Sequence, residues 1–390
     1  MAEKKLRLGI IGYGTQGSAY GRFIDGGLVP SVELTGVCDI DPAAIDRCKE
    51  LFPEVNAYED YKDLVDSGEV DAVITAVPHY LHPEMAIYAL SKDIHVLNEK
   101  PAGVYTKQVQ ELNEYAKDAK ATYAIMFNQR NNPLYQKIKA IMDSGDLGAI
   151  RRTNWIITTW WRPQAYYNQS EWRATWGGEG GGVLVNQAPH QLDLFQWIAG
   201  VPESVYAMVD EGYQRDIVVE DQVHAMLKYP NGATGVFVTS TNEIVGSDRL
   251  EIYCDKGKIV VDDSQKATVY RLKETEQDID AGFDADKVKR MMAAENVFGD
   301  LFEEVQTIEE ENVWGAQHSG VIENFAQHIL NGEDLIAPGA EGINGVRLAN
   351  AIQMSGWTGE KISIKDFDDD KFLEMLNQHI EEEGKFPTRD

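Results

Sequence analysis

The chain has 390 residues, and 43% of them are hydrophobic, which is enough for a large core. Because a chain of this length is longer than one core usually serves, we expect two domains. Its 36 basic and 64 acidic side chains give a formal net charge of −28. This charge argues against nucleic acid and anionic membranes as partners, because both bind clustered Lys and Arg. Three cysteines without a C-x-x-C pair argue against a disulfide framework or a metal site. The short charged segment Met1–Arg7 and the lack of a long apolar run predict a cytoplasmic protein without a membrane span.

Strand-like and helix-like segments alternate in the first third of the chain. Asp41 and Pro42 are typical of the cap and first position of a helix. The predicted strands are Leu6–Ile11, Val32–Cys38, Asp71–Val77, Ile94–Leu97 and Thr122–Phe127, and the predicted helices are Ser18–Ile24, Asp41–Phe52, Pro83–Ser91 and Thr106–Ala119. This alternation indicates βαβ units and a parallel sheet.

The pattern then changes to longer β-rich segments separated by turns such as Pro230-Asn231-Gly232. We predict strands at Arg152–Trp161, Ser204–Val209, Gln222–Leu227, Thr234–Thr239, Leu250–Cys254 and Lys258–Val261, and helices at Pro133–Met142, His190–Ile198, Ser319–Leu330 and Gly345–Met354. These elements indicate an antiparallel sheet in an α+β domain, and we divide the chain into residues 1–128 and 129–390. Residues 274–311 carry 13 acidic and 3 basic side chains, which predicts a solvated, partly helical excursion.

A glycine-rich turn directly follows the first strand and opens a helix. Its residues are Gly12, Tyr13, Gly14, Thr15, Gln16 and Gly17. In this context G-x-G-x-x-G is typical of a dinucleotide site, in which the glycines allow a tight turn, close approach of a pyrophosphate and helix packing. The alternative is a plain βα turn. Asp39 follows the second strand, 22 residues past Gly17, where a carboxylate accepts hydrogen bonds from ribose hydroxyls. It favours NAD without excluding NADP.

Two further groups fall where ligands bind in a parallel sheet, outside the carboxyl ends of strands. Glu99-Lys100-Pro101 ends one strand, and Lys100 is therefore expected beside the reacting end of the cofactor, although a surface lysine is the common alternative. Val77-Pro78 ends another strand and leads to His79 and His82, which we interpret as polar lining on the same side.

A second constellation follows a glycine run, Gly180 to Gly182. Asn186, His190 and Asp193 are spaced four and three residues apart, which places them on neighbouring faces of a helix. His190 lies among polar and small residues, and an imidazole exchanges protons near neutral pH. A structural histidine is the alternative, and Asn186 with Asp193 is a poor ligand set for a metal.

Aromatic residues are concentrated between positions 155 and 176, where five of the eight tryptophans fall. The cluster contains Trp155, Trp160, Trp161, Tyr166, Tyr167, Trp172 and Trp176, with Arg162 and Arg173 interleaved. Aromatic faces beside polar groups bind sugars, but a core stripe explains the pattern equally well.

Together these motifs resemble the glucose–fructose oxidoreductase, inositol dehydrogenase and rhizopine-catabolism (Gfo/Idh/MocA) family over most of the chain. The resemblance implies an α/β fold with an N-terminal Rossmann domain and a C-terminal α+β domain, whose large, mostly antiparallel open sheet forms dimer or tetramer contacts. It implies that a late helix near residues 342–357 packs back on the first domain. It also implies that Lys100 contacts the reacting hydroxyl and nicotinamide and that His190 is catalytic. The family often has Asp where this chain has Asn186, and an amide only orients substrate or His190.

Together with these motifs, the resemblance implies an NAD-dependent dehydrogenase for a secondary hydroxyl of a sugar, glycoside or inositol, assembled as a homo-oligomer. The catalytic set is Lys100, His190 and Asn186. The cofactor set is Gly12, Tyr13, Gly14, Thr15, Gln16, Gly17, Asp39, Val77, Pro78, His79, His82, Glu99 and Lys100. The substrate set is Lys100, Arg162, Trp161, Tyr166, Trp172, Arg173, Asn186 and His190. Two alternatives stay open: a redox-neutral glycoside-cleaving enzyme that passes through a keto-sugar, and a non-catalytic NAD-binding sensor.

Overall fold

The computed structural model describes residues 4–311, 313 and 315–390, so the start of the predicted Met1–Arg7 segment and two positions of the predicted second domain lie outside the described residues. Strands and helices alternate in the first third, as predicted. They are β1 (Leu6–Ile11), α1 (Thr15–Asp25), β2 (Val32–Cys38), α2 (Pro42–Leu51), β3 (Asn56–Tyr58), α3 (Tyr61–Asp66), β4 (Ala72–Thr75), α4 (His82–Ser91), β5 (His95–Asn98), α5 (Thr106–Asp118) and β6 (Tyr123–Ile125).

These strands form one parallel sheet in the order β3-β2-β1-β4-β5-β6. The order reverses between β1 and β4, which opens a crevice at the carboxyl ends of those strands. Asp41 caps α2 by accepting a hydrogen bond from the amide of Ala43, and Pro42 is its first residue, as predicted. The sequence did not predict β3 and α3, because three and six residues are too few to show a period.

The remaining elements build a second sheet with helices beside it. They are α6 (Pro133–Ser144), β7 (Ile150–Ile157), α7 (Gln164–Tyr167), α8 (Pro189–Ala199), β8 (Ser204–Glu211), β9 (Glu220–Lys228), β10 (Thr234–Ser240), β11 (Asp248–Cys254), β12 (Gly257–Asp262), β13 (Lys266–Leu272), α9 (Glu276–Ala281), α10 (Ala285–Met292), β14 (Phe302–Glu309), α11 (Ala316–Asn331), α12 (Gly342–Thr358), β15 (Ile362–Ser363) and α13 (Asp369–Glu383). The strand order is β14-β13-β12-β11-β7-β10-β9-β8-β15. Within the described residues, β7 and β10 pair in parallel and the other pairs are antiparallel, which confirms the predicted fold class.

The acidic segment corrects one prediction. Helices α9 and α10 carry no buried residue, as expected of a solvated excursion, but residues 302–309 form the edge strand β14. Cross-strand ion pairs join Lys266 to Glu309 and Arg271 to Glu304. An edge strand tolerates such charge because its outer side faces water, and charge there discourages pairing with other chains. The strand β14 was therefore not predicted, because its acidic composition is also typical of a solvated segment.

One face of the second sheet is buried and the other is open. Trp155 on β7 is paired with Phe237 on β10 and with Leu250 on β11, and all three are buried. The ring of Phe195 on α8 packs 6.2 Å from Trp155 and 6.0 Å from Phe237. The helical layer therefore covers this face, and the packing of Phe195 holds α8 against the sheet.

Helix α12 contacts both parts of the chain. The amide of Thr106, at the start of α5, donates to Asn350 Oδ1 at 3.1 Å, and Asn350 Nδ2 donates to the Val104 carbonyl at 3.0 Å. On its other side, Ser355 Oγ accepts from the amide of Ala207 on β8 at 2.9 Å. The division at residue 128 remains our proposal. No helix in the described part of the chain is long and apolar enough to cross a bilayer.

Candidate active site

The glycine-rich turn between β1 and α1 is shaped by two crowded glycines and one open one. A Cβ on Gly12, whose φ is +90°, would lie 2.3 Å from the Ala76 carbonyl oxygen, and one on Gly17 would lie 1.9 Å from the Gly12 carbonyl oxygen. A Cβ on Gly14 would meet no atom within 4 Å. Helix α1 has no capping side chain and no acidic residue in its first turn. The backbone at Gly14 is thus open to an anion, which fits the pyrophosphate of a dinucleotide.

Asp39 holds the turn together as well as facing the cleft. Its Oδ2 accepts from the amide of Tyr13 at 2.6 Å, and its Oδ1 accepts from the amide of Asp41 at 2.9 Å. Asp39 therefore holds the turn although Asp41 caps α2, because the carboxylate has acceptor capacity for both amides. The Tyr13 side chain is buried against α1, where a Cβ on Gly21 would touch its hydroxyl, so only its backbone faces the turn.

Lys100 follows β5 and extends across the cleft to the second domain. Its Nζ donates to the backbone carbonyl of Asn186 at 2.9 Å, and its own amide donates to Glu99 Oε2 at 3.0 Å. The buried Glu99 also accepts from the hydroxyl of Tyr20. Burial lowers the pKa of Lys100 and raises that of Glu99 to about 7. A lysine positioned in this way donates a hydrogen bond to an oxygen in the cleft.

His190 is the second residue of α8, and its imidazole is partly buried. In the described structure its Nδ1 has no hydrogen-bond partner. Burial, assisted by the charge of Lys100, holds the pKa of His190 well below its usual value, so the ring is neutral near pH 7. A neutral imidazole accepts a proton, and the described contacts assign its Nδ1 to no other group.

Asp193, three residues further on, does not join His190. Its carboxylate forms a buried two-pronged ion pair with Arg130, with nitrogen–oxygen distances of 2.6 and 2.8 Å. The pair ties α8 to the turn that follows β6. The helical spacing was right, but the helix turns Asp193 away from the cleft.

The histidines after β4 differ in what they offer. The Nδ1 of His82 lies 2.7 Å from the Pro101 carbonyl and its Nε2 lies 2.9 Å from the Val77 carbonyl, so both nitrogens are taken by backbone. Burial lowers its pKa to about 4. His79 Nδ1 lies 3.1 Å from the Glu179 carbonyl. His82 thus supports the wall through its backbone contacts and lines the cavity, so its place in the cofactor set stays a prediction.

The aromatic segment is divided between core and cleft. Trp155 and Trp176 are fully buried, whereas Tyr166, Trp172 and Arg173 line the cleft, where the Arg173 guanidinium lies 4.9 Å from each of the two ring centroids.

Trp161 and Arg162 do not belong to the wall. Trp161 is 38% exposed beside Arg215, and Arg162 lies over the Tyr166 ring at 5.0 Å without reaching the described cavity lining. They follow the end of β7 at Ile157, which is earlier than predicted.

One cavity of about 1010 Å³ connects these groups. Sequence reasoning missed some of its lining, because no motif marks these residues: Glu59, Asp60, Gln169, Ser170 and His318. The cavity runs from Gly14 and Asp39 to Lys100, His190 and the aromatic wall. A parallel sheet with this turn and this cleft defines a Rossmann-type dinucleotide-binding protein.

Comparison with known proteins gives the family. Residues 6–127 match the oxidoreductase family with an NAD-binding Rossmann fold, and residues 135–260 match the GFO/IDH/MocA C-terminal domain. The chain therefore belongs to the Gfo/Idh/MocA oxidoreductase family and is an oxidoreductase with an NAD-binding Rossmann domain.

Named relatives act on cyclitols and sugars. The chain is 26% identical over 275 residues to myo-inositol 2-dehydrogenase of Thermotoga maritima, covering 68% of this chain and 77% of the relative. It is 23% identical over 290 residues to levoglucosan dehydrogenase of Pseudarthrobacter phenanthrenivorans, covering 66% and 73%.

A levoglucosan dehydrogenase complex with NADH and levoglucosan superposes with a TM-score of 0.76 at 20% identity, covering 92% of this chain and 99% of that one. The WlbA dehydrogenase of Bordetella pertussis, in complex with NADH and UDP-GlcNAcA, superposes with a TM-score of 0.73 at 24% identity and the same coverage. At these identities the structures show a shared fold.

Proposed function

We propose that this oxidoreductase is an NAD-dependent dehydrogenase that oxidises a secondary hydroxyl of a sugar, glycoside or inositol. The observation that carries the proposal is that Lys100, Asn186 and His190 line the same cavity as the open backbone of Gly14. The named activities of the inositol and levoglucosan relatives support this substrate class.

Lys100 and His190 have different roles because the lysine is charged and the imidazole is neutral. Bound nicotinamide would supply the acceptor for the hydride that leaves the carbinol carbon. Lys100, held by the Asn186 carbonyl, donates to the hydroxyl oxygen and stabilises the negative charge that develops there. A ring nitrogen of the neutral His190 accepts the hydroxyl proton, and in the reverse direction it returns the proton to the ketone oxygen. Asn186 orients the substrate.

A panel of sugars, inositols and glycosides, each offered with NAD and with NADP, tests this function through NAD(P)H formation. Reduced cofactor that accumulates with one class of substrate is the expected result. Release of aglycone without reduced cofactor would instead indicate the redox-neutral glycoside-cleaving enzyme. Tight NAD binding with neither event would indicate a sensor.

Three carboxylates favour NAD over NADP at the adenosine end of the cavity. Glu59 and Asp60 line it beside Asp39. Acidic groups repel a 2′-phosphate, and Asp39 retains acceptor capacity for the ribose hydroxyls.

Asp39→Ser is expected to weaken NAD binding by about 10- to 100-fold, because hydrogen bonds to a charged acceptor are worth about 1.5–3 kcal/mol. It should also raise the NADP-to-NAD ratio of affinities, since one repelling charge is removed. Fluorescence titration with NADH and NADPH measures both effects. Asp41→Ser is the matched control, because serine also caps a helix and α2 should be kept. An unchanged NADH affinity in Asp39→Ser would contradict the cofactor role.

We also infer that the chain assembles through the open face of the second sheet. Tyr206 and Met226 are cross-strand partners on β8 and β9, and both are exposed together with Met208. An exposed apolar patch of this kind marks an interface.

The three cysteines are free and buried, which fits a reducing compartment such as the cytoplasm.

Replacing Met208 and Met226 together by Glu is expected to shift the chain from oligomer to monomer, because two buried charges without partners would oppose association. Light scattering after gel filtration measures the mass. The same substitution on the separate exposed residue Met292 of α10 is the control. A wild-type chain that is already monomeric would refute the inferred interface.

A further inference from the structure

Glu179 is a buried carboxylate in the loop between the aromatic wall and Asn186. Only 2% of it is exposed, and it interacts with three groups of that loop. Its Oε2 accepts from the amide of Ala174 at 2.7 Å, its Oε1 accepts from Asn186 Nδ2, and Arg173 Nη1 lies 3.9 Å from Oε1. Burial raises its pKa to about 6, so the carboxylate is ionised at neutral pH and acts only as an acceptor.

This contact fixes the direction of the Asn186 amide. A carboxylate accepts only, so Asn186 must present its Nδ2 to Glu179 and turn its Oδ1 the other way. Asn186 lines the cavity, and among the described residues none donates a hydrogen bond to that Oδ1. The backbone carbonyl of the same residue holds Lys100 Nζ at 2.9 Å. The arrangement therefore leaves an acceptor oxygen, already oriented, next to the lysine.

We propose that Glu179 is a positioning residue, which holds the Asn186 amide so that Oδ1 accepts a hydrogen bond from a hydroxyl of the sugar or cyclitol. The inference rests on the proposed function. Glu179 stays out of contact with the reacting atoms and acts through Asn186. Its role depends on hydrogen-bond direction and not on volume, so a variant of the same shape should reveal it.

Glu179→Gln tests the direction. The new side chain would accept from the Ala174 amide with its oxygen, and its nitrogen would then face Asn186 as a donor. Both amides are satisfied only if Asn186 turns over, which points its nitrogen into the cavity in place of the acceptor. We expect kcat/KM for the sugar to fall by at least about tenfold, the value of one lost hydrogen bond, with NADH affinity unchanged. Unchanged sugar kinetics would overturn the proposal.

The most discriminating experiment exchanges the donor and the acceptor between positions 179 and 186. Asn186→Asp alone brings two carboxylates into contact. Their repulsion should also lower kcat/KM by at least about tenfold. The double variant Glu179→Gln/Asn186→Asp restores one donor, one acceptor and an oxygen toward the cavity. We expect its kcat/KM to exceed that of each single variant by at least about fivefold, as for coupled neighbours. Losses that multiply in the double variant would refute the positioning role.

Two controls separate this proposal from others. Glu171→Gln removes a carboxylate from an exposed position of the same loop and should leave sugar kinetics unchanged. If Glu179→Gln lowers the melting temperature so far that it does not fold, Asn186→Ala replaces it, because the Glu179–Ala174 bond remains; wild-type sugar kinetics in that variant would also overturn the proposal.

Binding is read independently of turnover from the quenching of tryptophan fluorescence by myo-inositol and methyl glucosides in the presence of NADH. Weaker binding to Glu179→Gln than to wild type is expected, and equal binding counts against the positioning role. A wild-type chain that neither binds nor oxidises these compounds would refute the proposed function itself, whereas an active wild type with an equally active Glu179→Gln would refute the role of Glu179 alone.

Discussion

Replacement of His190 by alanine is expected to lower kcat by about 10²- to 10⁴-fold, the usual contribution of a positioned acid or base. The imidazole is partly buried, lines the cavity and is held neutral by its lowered pKa, so a ring nitrogen is available to accept a proton. The affinity for NAD should stay near wild type, because the pyrophosphate is expected at Gly14, on the other domain. Steady-state kinetics with NADH titration measures both quantities.

The matched control for His190 is His328→Ala. His328 lies on α11 with its Nδ1 near the Glu333 carbonyl, and it is absent from the cavity lining. Its loss should leave kcat unchanged. Wild-type turnover in His190→Ala would remove the residue from the mechanism and favour a purely structural histidine.

Lys100→Met is expected to lower kcat by about 10²- to 10³-fold, the usual cost of one donor to a developing oxyanion. Methionine keeps most of the apolar stem and removes the charge and the bond to the Asn186 carbonyl. Because burial lowers the pKa of Lys100, wild-type activity should decline at a lower alkaline pH than the one at which an ordinary lysine loses its proton. The variant should lack that decline. A pH profile of kcat in both proteins measures this.

Lys92→Met is the control for the loss of a lysine, since Lys92 is exposed on the far end of α4 and pairs with Asp66. An exposed pair of this kind contributes little, so kcat should not change. If Lys100→Met keeps full activity, the charge stabilisation must come from another group, and the account of the oxyanion is wrong.

The fold was largely predictable because its strong patterns are local. Asp41 and Pro42 mark a helix start, and β1, β2 and α2 were placed to within a residue or two of their ends. Elements with little hydrophobic pattern were missed. β14 is a mostly exposed, acidic strand at a sheet edge, and composition cannot show its pairing with β13.

The site was predictable where a motif fixes a position, and less so where a side chain's role depends on a contact that no sequence pattern marks. Lys100 and His190 were found, and the structure brings them to one cavity. Glu179 was not singled out, because its importance depends on its contact with Asn186 seven residues later. The backbone contacts of His82 were likewise not predicted, since the two carbonyls that its nitrogens face become visible only in three dimensions.

The most direct test follows deuterium from substrate to cofactor. Myo-inositol, glucose and a methyl glucoside, each carrying deuterium on its ring carbons, are incubated as a pool with the wild-type chain and NAD, and the cofactor is analysed by mass spectrometry. The account predicts reduced cofactor that carries one deuterium at nicotinamide C4, greatly diminished in His190→Ala and Lys100→Met. Substrate consumed without deuterium in the cofactor, or aglycone released while NAD stays oxidised, would contradict it.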